Sequence, residues 1–273
     1  MRATSPPILI AGFHRSGTSA VARGFHNAGL DLGDELLGAE AANPYGHFED
    51  TRVIEAHDDA LARAGLTWKS PVPANASNDK RLRTDIDRII QDRNTSEKPW
   101  GIKDPRLCLF LGQWLAASPS ANVIVVFRRP ADAIASLHRR HARRLVDTRG
   151  KDPSDRAFWE QPDLALELWN HYYEQLLAQL PDLGQVFAVD FSDRACIERL
   201  PELAAARWHL PLTLDEPLRL DPDLGVSTKA VREVRDLSLM DRTRHTWERL
   251  SAISSKEVRN SRIPPQGRRF LNR

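Results

Sequence analysis

Cysteine is scarce in this chain. Its 273 residues include two, Cys108 and Cys196, far apart and in no C-x-x-C pair. That excludes a disulfide framework, a paired redox motif and a cysteine-based zinc site. Each lies among apolar neighbours, where a small core side chain is expected, and a reducing compartment follows. Long apolar runs are also missing. The longest are Ile8-Leu9-Ile10-Ala11-Gly12-Phe13 and Val123-Ile124-Val125-Val126-Phe127, well short of the ~20 residues that a spanning helix needs. The leading run carries no small-residue cleavage pattern, so no signal peptide is read and a cytoplasmic location is expected. Lysine is rare too: 7 of the 39 basic residues, the other 32 being arginine. With 37 acidic residues the formal charge is +2, which argues against a dedicated nucleic-acid or acidic-membrane binder. No repeat and no linker divides the chain. One domain over residues 1–273 is expected, with a flexible basic tail over 256–273.

What is present is an alternation of short apolar runs with longer stretches of helical period. Strands are expected at 7–13, 100–103, 122–127 and 185–191. Helices are expected at 18–30, 49–65, around Leu82 to Ile90, and at 130–145, 164–180, 195–208 and 229–253. Segments 31–47, 69–79, 148–162 and 211–225 read as irregular. The fold class is α/β, a single domain with a central parallel β-sheet flanked by helices. Trp169, Tyr172 and Tyr173 recur at helical spacing, which points to core packing rather than to stacking on a base.

Two segments carry chemistry. The first strand runs into Gly12-Phe13-His14-Arg15-Ser16-Gly17-Thr18-Ser19, and a helix follows. Backbone N–H groups of such a loop and the helix N-terminus converge on an anion. The glycines have the spacing of a nucleotide P-loop, but Thr18 stands where a nucleoside-triphosphatase has lysine, and the cation is Arg15, inside the loop. The second segment is the strand at 122–127, ending in Arg128. Asp132, Ser136 and Arg140 follow at four-residue spacing, on one face of a helix. Arg128, Ser136 and Arg140 at a strand's carboxyl end suit a second phosphate.

Together these segments resemble the sulfotransferases that use 3′-phosphoadenosine 5′-phosphosulfate (PAPS). The Gly12–Ser19 loop resembles their 5′-phosphosulfate loop, and Arg128, Ser136 and Arg140 resemble their 3′-phosphate motif. Similarity is greatest to the bacterial and tyrosylprotein-type branches, and it covers about half the chain. It implies a P-loop-containing nucleoside triphosphate hydrolase-like (sulfotransferase) fold, PAPS as co-substrate with 3′,5′-diphosphoadenosine as product, and no metal. His14, Arg15, Ser16, Gly17, Thr18 and Ser19 would hold the donor's 5′ end. Glu49-Asp50-Thr51-Arg52 resembles the segment bearing the catalytic carboxylate, and Lys103 a family lysine beside the transferring group. The chain departs from the cytosolic branch: it has no Lys-Thr-His-Leu-Pro segment, and Gly267-Arg268-Arg269 only faintly echoes the late phosphate motif.

The expected reaction is in-line sulfuryl transfer to an acceptor hydroxyl or amine, with Arg15 and Lys103 stabilising developing charge. Glu49 is the first choice for the base and His47 the second. Carbohydrate, lipid, phenol and peptide hydroxyls all remain open as acceptors, shaped by loops 31–48, 66–80 and 148–162. Two other readings stand beside this one: a Mg-dependent P-loop kinase of small molecules, and a non-catalytic nucleotide-binding module.

Overall fold

Four short β-branched and aliphatic runs form the strands on which everything else rests. The computed structural model describes residues 5–39, 45–73, 79–148, 155–214, 218–220 and 236–260. The strands are β1 (Ile8–Ala11), β2 (Gly101–Lys103), β3 (Asn122–Phe127) and β4 (Val186–Asp190). All pairings are parallel, in the order β2-β1-β3-β4. Every residue of β1, β2 and β3 is buried, as a parallel sheet covered on both faces requires.

Strand alternation divides the core into two layers. Leu9, Ala11, Val123, Val125, Phe127, Val186 and Ala188 face one layer. It is completed by α2 (Thr51–Arg63), α3 (Lys80–Arg93), α4 (Leu107–Ala117), α5 (Pro130–Asp147), α7 (Leu164–Gln179) and α9 (Leu237–Asn260), with the short α6 (Ala157–Glu160) beside them. Ile8, Ile10, Ile124, Val126, Phe187 and Val189 face the other, packed under α1 (Thr18–Asn27) and α8 (Arg194–Trp208).

Helix starts follow local chemistry. Asp50 caps α2 by accepting from the Arg52 N–H, Asp79 caps α3, and Asp193 caps α8. Pro130 opens α5 at a position where its missing N–H costs nothing.

All four expected strands are present, with ends shifted by one or two residues. Four helical expectations change, the first being the short α6, which falls in the segment 148–162 read as irregular. Helix α2 begins at Thr51, so Glu49 lies before the cap rather than in the first turn. Helix α4 has no counterpart in the periodicity, because Leu107-Cys108-Leu109-Phe110-Leu111 is buried on every side and shows no polar face. Helix α9 starts at Leu237 and continues to Asn260, because no proline interrupts it before Pro264. It therefore includes the first five residues of the expected tail. Residues 261–273 lie outside the described residues, as do 221–235 and parts of the loops 31–48, 66–80 and 148–162. Cys108 is fully buried as expected, whereas Cys196 is only half-buried. Among the described residues no helix is long and apolar enough to cross a membrane.

The chain leaves β1 for β2 on one side and then returns to place β3 on the other. Neighbouring strands whose connections diverge leave a crevice at their carboxyl ends. The loop after β1 and Arg128 after β3 both open there. Gly12 is what lets them meet: a Cβ on it would lie 2.2 Å from the Val126 carbonyl oxygen. Gly12→Ala is expected to lower unfolding stability by about 2–3 kcal/mol in urea titration, as overpacking against backbone does. An unchanged midpoint would mean that the two strand ends are not in contact.

Candidate functional site

The loop between β1 and α1 is wound unusually tightly. Arg15 has φ of 67° and Gly17 of 95°, both left-handed, with Ser16 between them. Strain of this kind in a non-glycine residue persists where surroundings enforce it. The Ser16 N–H donates to Phe13 O at 3.1 Å, closing the turn. Gly17 stands at the N-cap of α1 and has no side chain to cover the helix's leading N–H groups. A Cβ on Gly17 would clash with the Phe191 ring, 2.1 Å from its nearest atom.

Tyr173, on α7, pins this turn from beneath. Its hydroxyl accepts the Phe13 N–H at 3.2 Å and lies 2.8 Å from Ser16 Oγ and 2.9 Å from Val126 O. With one hydrogen to give, it donates to the Val126 carbonyl and accepts from Ser16. Loop, β3 and α7 thus share one buried oxygen. The sequence marked Tyr173 as core, which it is, but nothing in the pattern showed that its polar end holds the loop.

Above the turn lies a cluster of cations. Arg15 Nε donates to Ser136 Oγ at 3.0 Å, and Arg128 Nη1 donates to the Arg15 carbonyl at 3.4 Å. The expected 5′ and 3′ anion groups are therefore in direct contact. Burial, then repulsion from Arg140, Arg128, Arg139 and Arg143, lowers the Arg15 guanidinium from its ordinary value to about 10. Burial also lowers Arg128, with Arg139 and Arg129 adding to the effect and Asp132 opposing it. His14, ringed by Trp68 (centroids 4.4 Å apart) and Tyr172, is held well below its ordinary value by burial and by Arg106 and Arg140. Its buried Nε2 has no hydrogen-bond partner among the described residues.

On the far side of the loop stands a second constellation. Lys103, the last residue of β2, is 2% exposed. Its Nζ donates to Ser19 Oγ at 3.1 Å and forms an ion pair with Glu49. His47 Nδ1 lies 3.9 Å from Glu49 Oε1, and the His47 backbone N–H donates to Leu37 O. The sequence left open a surface lysine and an exposed loop histidine; both are buried. Ser19, Lys103, Glu49 and His47 form one chain of contacts that begins at the loop. Among the described residues no group of three or more His, Cys, Asp or Glu side chains is arranged to hold a metal ion.

Asp104, beside Lys103, is fully buried. Its carboxylate accepts from the Arg106 N–H and guanidinium, and His57 Nδ1 lies 3.4 Å away. Arg106 also reaches Asp58 on α2 at 3.0 Å, and Trp114 Nε1 donates to His57 Nε2 at 2.9 Å. This network, invisible in the sequence, ties the end of β2 to α2 and α4.

A strand-loop-helix turn at a sheet crevice, beside an arginine cluster, defines a P-loop-like fold. The family follows from comparison. The chain belongs to the sulfotransferase family, whose model matches residues 6–195. Among solved structures it is similar to a sulfotransferase from Alicyclobacillus acidocaldarius, at 17% identity, covering 96% of this chain and 100% of that one, with a TM-score of 0.52. It is also similar to sulfotransferase STF1 from Mycobacterium tuberculosis, at 15% identity, covering 92% and 77%, with a TM-score of 0.52. At these identities the likeness shows the fold. The comparison with curated proteins returned no match.

The Asp104 network has a pH signature. Burial alone would raise the Asp104 carboxyl, but Arg106, and then His57, hold it well below the usual carboxylate range. A carboxylate depressed in the folded state contributes stability above its unfolded value, about 3.9, and loses it as pH falls through the folded value. Asp104→Asn is expected to cost about 3 kcal/mol at pH 7. The gap to the wild type should narrow progressively below about pH 4. A gap constant with pH in denaturant titrations would remove the ion pair as its cause.

Proposed function

We propose that this protein transfers a sulfuryl group from PAPS to an acceptor hydroxyl or amine, with Glu49 as the base. The observation that carries this reading is the line Ser19–Lys103–Glu49, which joins the anion loop directly to a buried carboxylate. The donor supplies an activated sulfuryl group on a good leaving phosphate. The groups present fit it: loop N–H donors, the Thr18 and Ser19 hydroxyls, and Arg15 for the 5′ end, with Arg128, Ser136 and Arg140 for the 3′-phosphate. A ligand with two phosphate-type groups also relieves the repulsion among the crowded arginines.

Each residue then has a task. Arg15 and Lys103 stabilise charge on oxygens of the transferring group and the leaving phosphate. Glu49 takes the acceptor proton, and His47, 3.9 Å from it, holds or accepts that proton next. Buried His14 bounds the loop on the Trp68 side. Thr18 in place of a P-loop lysine withdraws the charge that grips a γ-phosphate, which separates this site from that of a Mg-dependent kinase.

Calorimetry tests the donor assignment. The chain should bind 3′,5′-diphosphoadenosine without Mg, and more tightly than ATP with Mg; no binding would overturn the assignment. Arg128→Ala should weaken 3′,5′-diphosphoadenosine about 10- to 100-fold, the worth of a charge-assisted contact, while leaving AMP nearly unchanged. Equal losses for both would remove Arg128 from the 3′-phosphate. Glu49→Gln should lower turnover about 10²- to 10⁴-fold with product affinity kept. Full turnover would place the base elsewhere.

A further inference from the structure

The base and its lysine come from different parts of the chain, and a second, buried ion cluster behind them closes those parts into a ring. Arg93, in the last turn of α3, is 5% exposed. Its Nη2 donates to Asp50 Oδ2 and its Nη1 donates to Asp31 Oδ1 at 3.2 Å. Asp50 immediately follows Glu49, and its other carboxylate oxygen caps α2. Asp31 is fixed to the start of β2: its N–H donates to Pro99 O at 2.9 Å, and its carbonyl accepts the Gly101 N–H at 2.8 Å. Two residues on, β2 ends in Lys103, which meets Glu49. The backbone at Glu49 is held as well. Its carbonyl accepts the Leu37 N–H at 2.7 Å, and the Thr51 N–H donates to Glu35 O at 3.0 Å.

Gly33 shows how closely this cluster is fitted. Its φ is 138°, and a Cβ there would lie 2.8 Å from both Arg93 Nη2 and Asp50 Oδ2. A planar guanidinium with forked donors satisfies two carboxylates in one plane; a lysine ammonium at the end of a flexible stem does not.

We infer that Arg93 is a positioning residue, which bridges Asp31 and Asp50 to hold the Glu49 carboxylate in register with Lys103. This rests on Glu49 being the base. Among the described residues Arg93 pairs with Asp31 and Asp50, not with Glu49 or Lys103; it sets the distance between the segments that carry them. In-line transfer is sensitive to such placement, and a displacement of about 1 Å can cost about 10²-fold.

The test uses the full chain with PAPS as donor and water as acceptor, read as sulfate release at saturating donor. Arg93→Lys should lower this rate about 10- to 100-fold, with 3′,5′-diphosphoadenosine affinity kept within about twofold, since the anion loop is not disturbed. In a Glu49→Gln background the same substitution should cost nothing further. Hydrogen exchange without ligand should rise at the Leu37 and Thr51 amides. Should Arg93→Lys fold poorly, Asp31→Asn, which keeps the shape and removes one charge, should show the same pattern at smaller amplitude. Additive losses in the double variant, or unchanged exchange at those amides, would overturn the positioning role. Glu49→Gln releasing sulfate at the wild-type rate would instead sink the base assignment on which it rests.

Discussion

Like charges held close together in a half-buried place are costly, and this fold is organised around bearing that cost. Arg15, Arg128, Arg139, Arg140 and Arg143 are near enough for their repulsion to be felt at Arg15. No carboxylate pairs with Arg139 or Arg143 among the described residues. Something must keep these groups from moving apart. The Tyr173 hydroxyl under the loop, the Ser136 hydroxyl beside Arg15 and the missing side chain at Gly12 all do so, each by joining two elements at the crevice. The cations stay together because the strands beneath them cannot separate.

The Lys103 side of the crevice uses the opposite arrangement. There every cation has its acid: Lys103 with Glu49, Arg106 with Asp104 and Asp58, Arg93 with Asp50 and Asp31. Buried pairs of this kind contribute little net stability relative to an apolar core, but they are expensive to break singly. The Lys103 side of the crevice is thus charge-paired, whereas the loop side gathers like charges.

Much of this was legible in the sequence. The four strands announced themselves because buried parallel strands are short and rich in β-branched residues. The two segments expected to bind anions stood out by their glycine spacing and post-strand arginine, and they meet at the crevice. Helix α4 was not legible: a helix buried on all sides has no amphipathic period to detect. Tyr173 was read as core because its ring is core, and sequence spacing says nothing about where a hydroxyl points. The Asp31–Arg93–Asp50 and Asp104–Arg106–Asp58 clusters were hidden for a different reason. Their members are dozens of residues apart, and a lone aspartate or arginine in a charged chain carries no mark of its partner.

The sheet order has a kinetic consequence. Strand β1 finds no local neighbour: Ile8 pairs with Gly101 and with Asn122, and Arg15 reaches across 121 residues to Ser136. Contacts of such separation carry a large loop-closure cost and form slowly. Along the chain β1 meets its first partner at Gly101–Lys103 and its second at Asn122–Phe127. Nascent fragments that end before β3 expose β1 and β2 with one edge uncovered and with no second arginine group. The crevice therefore exists only once β3 and α5 have joined β1, and its geometry reports the closure of these long-range contacts.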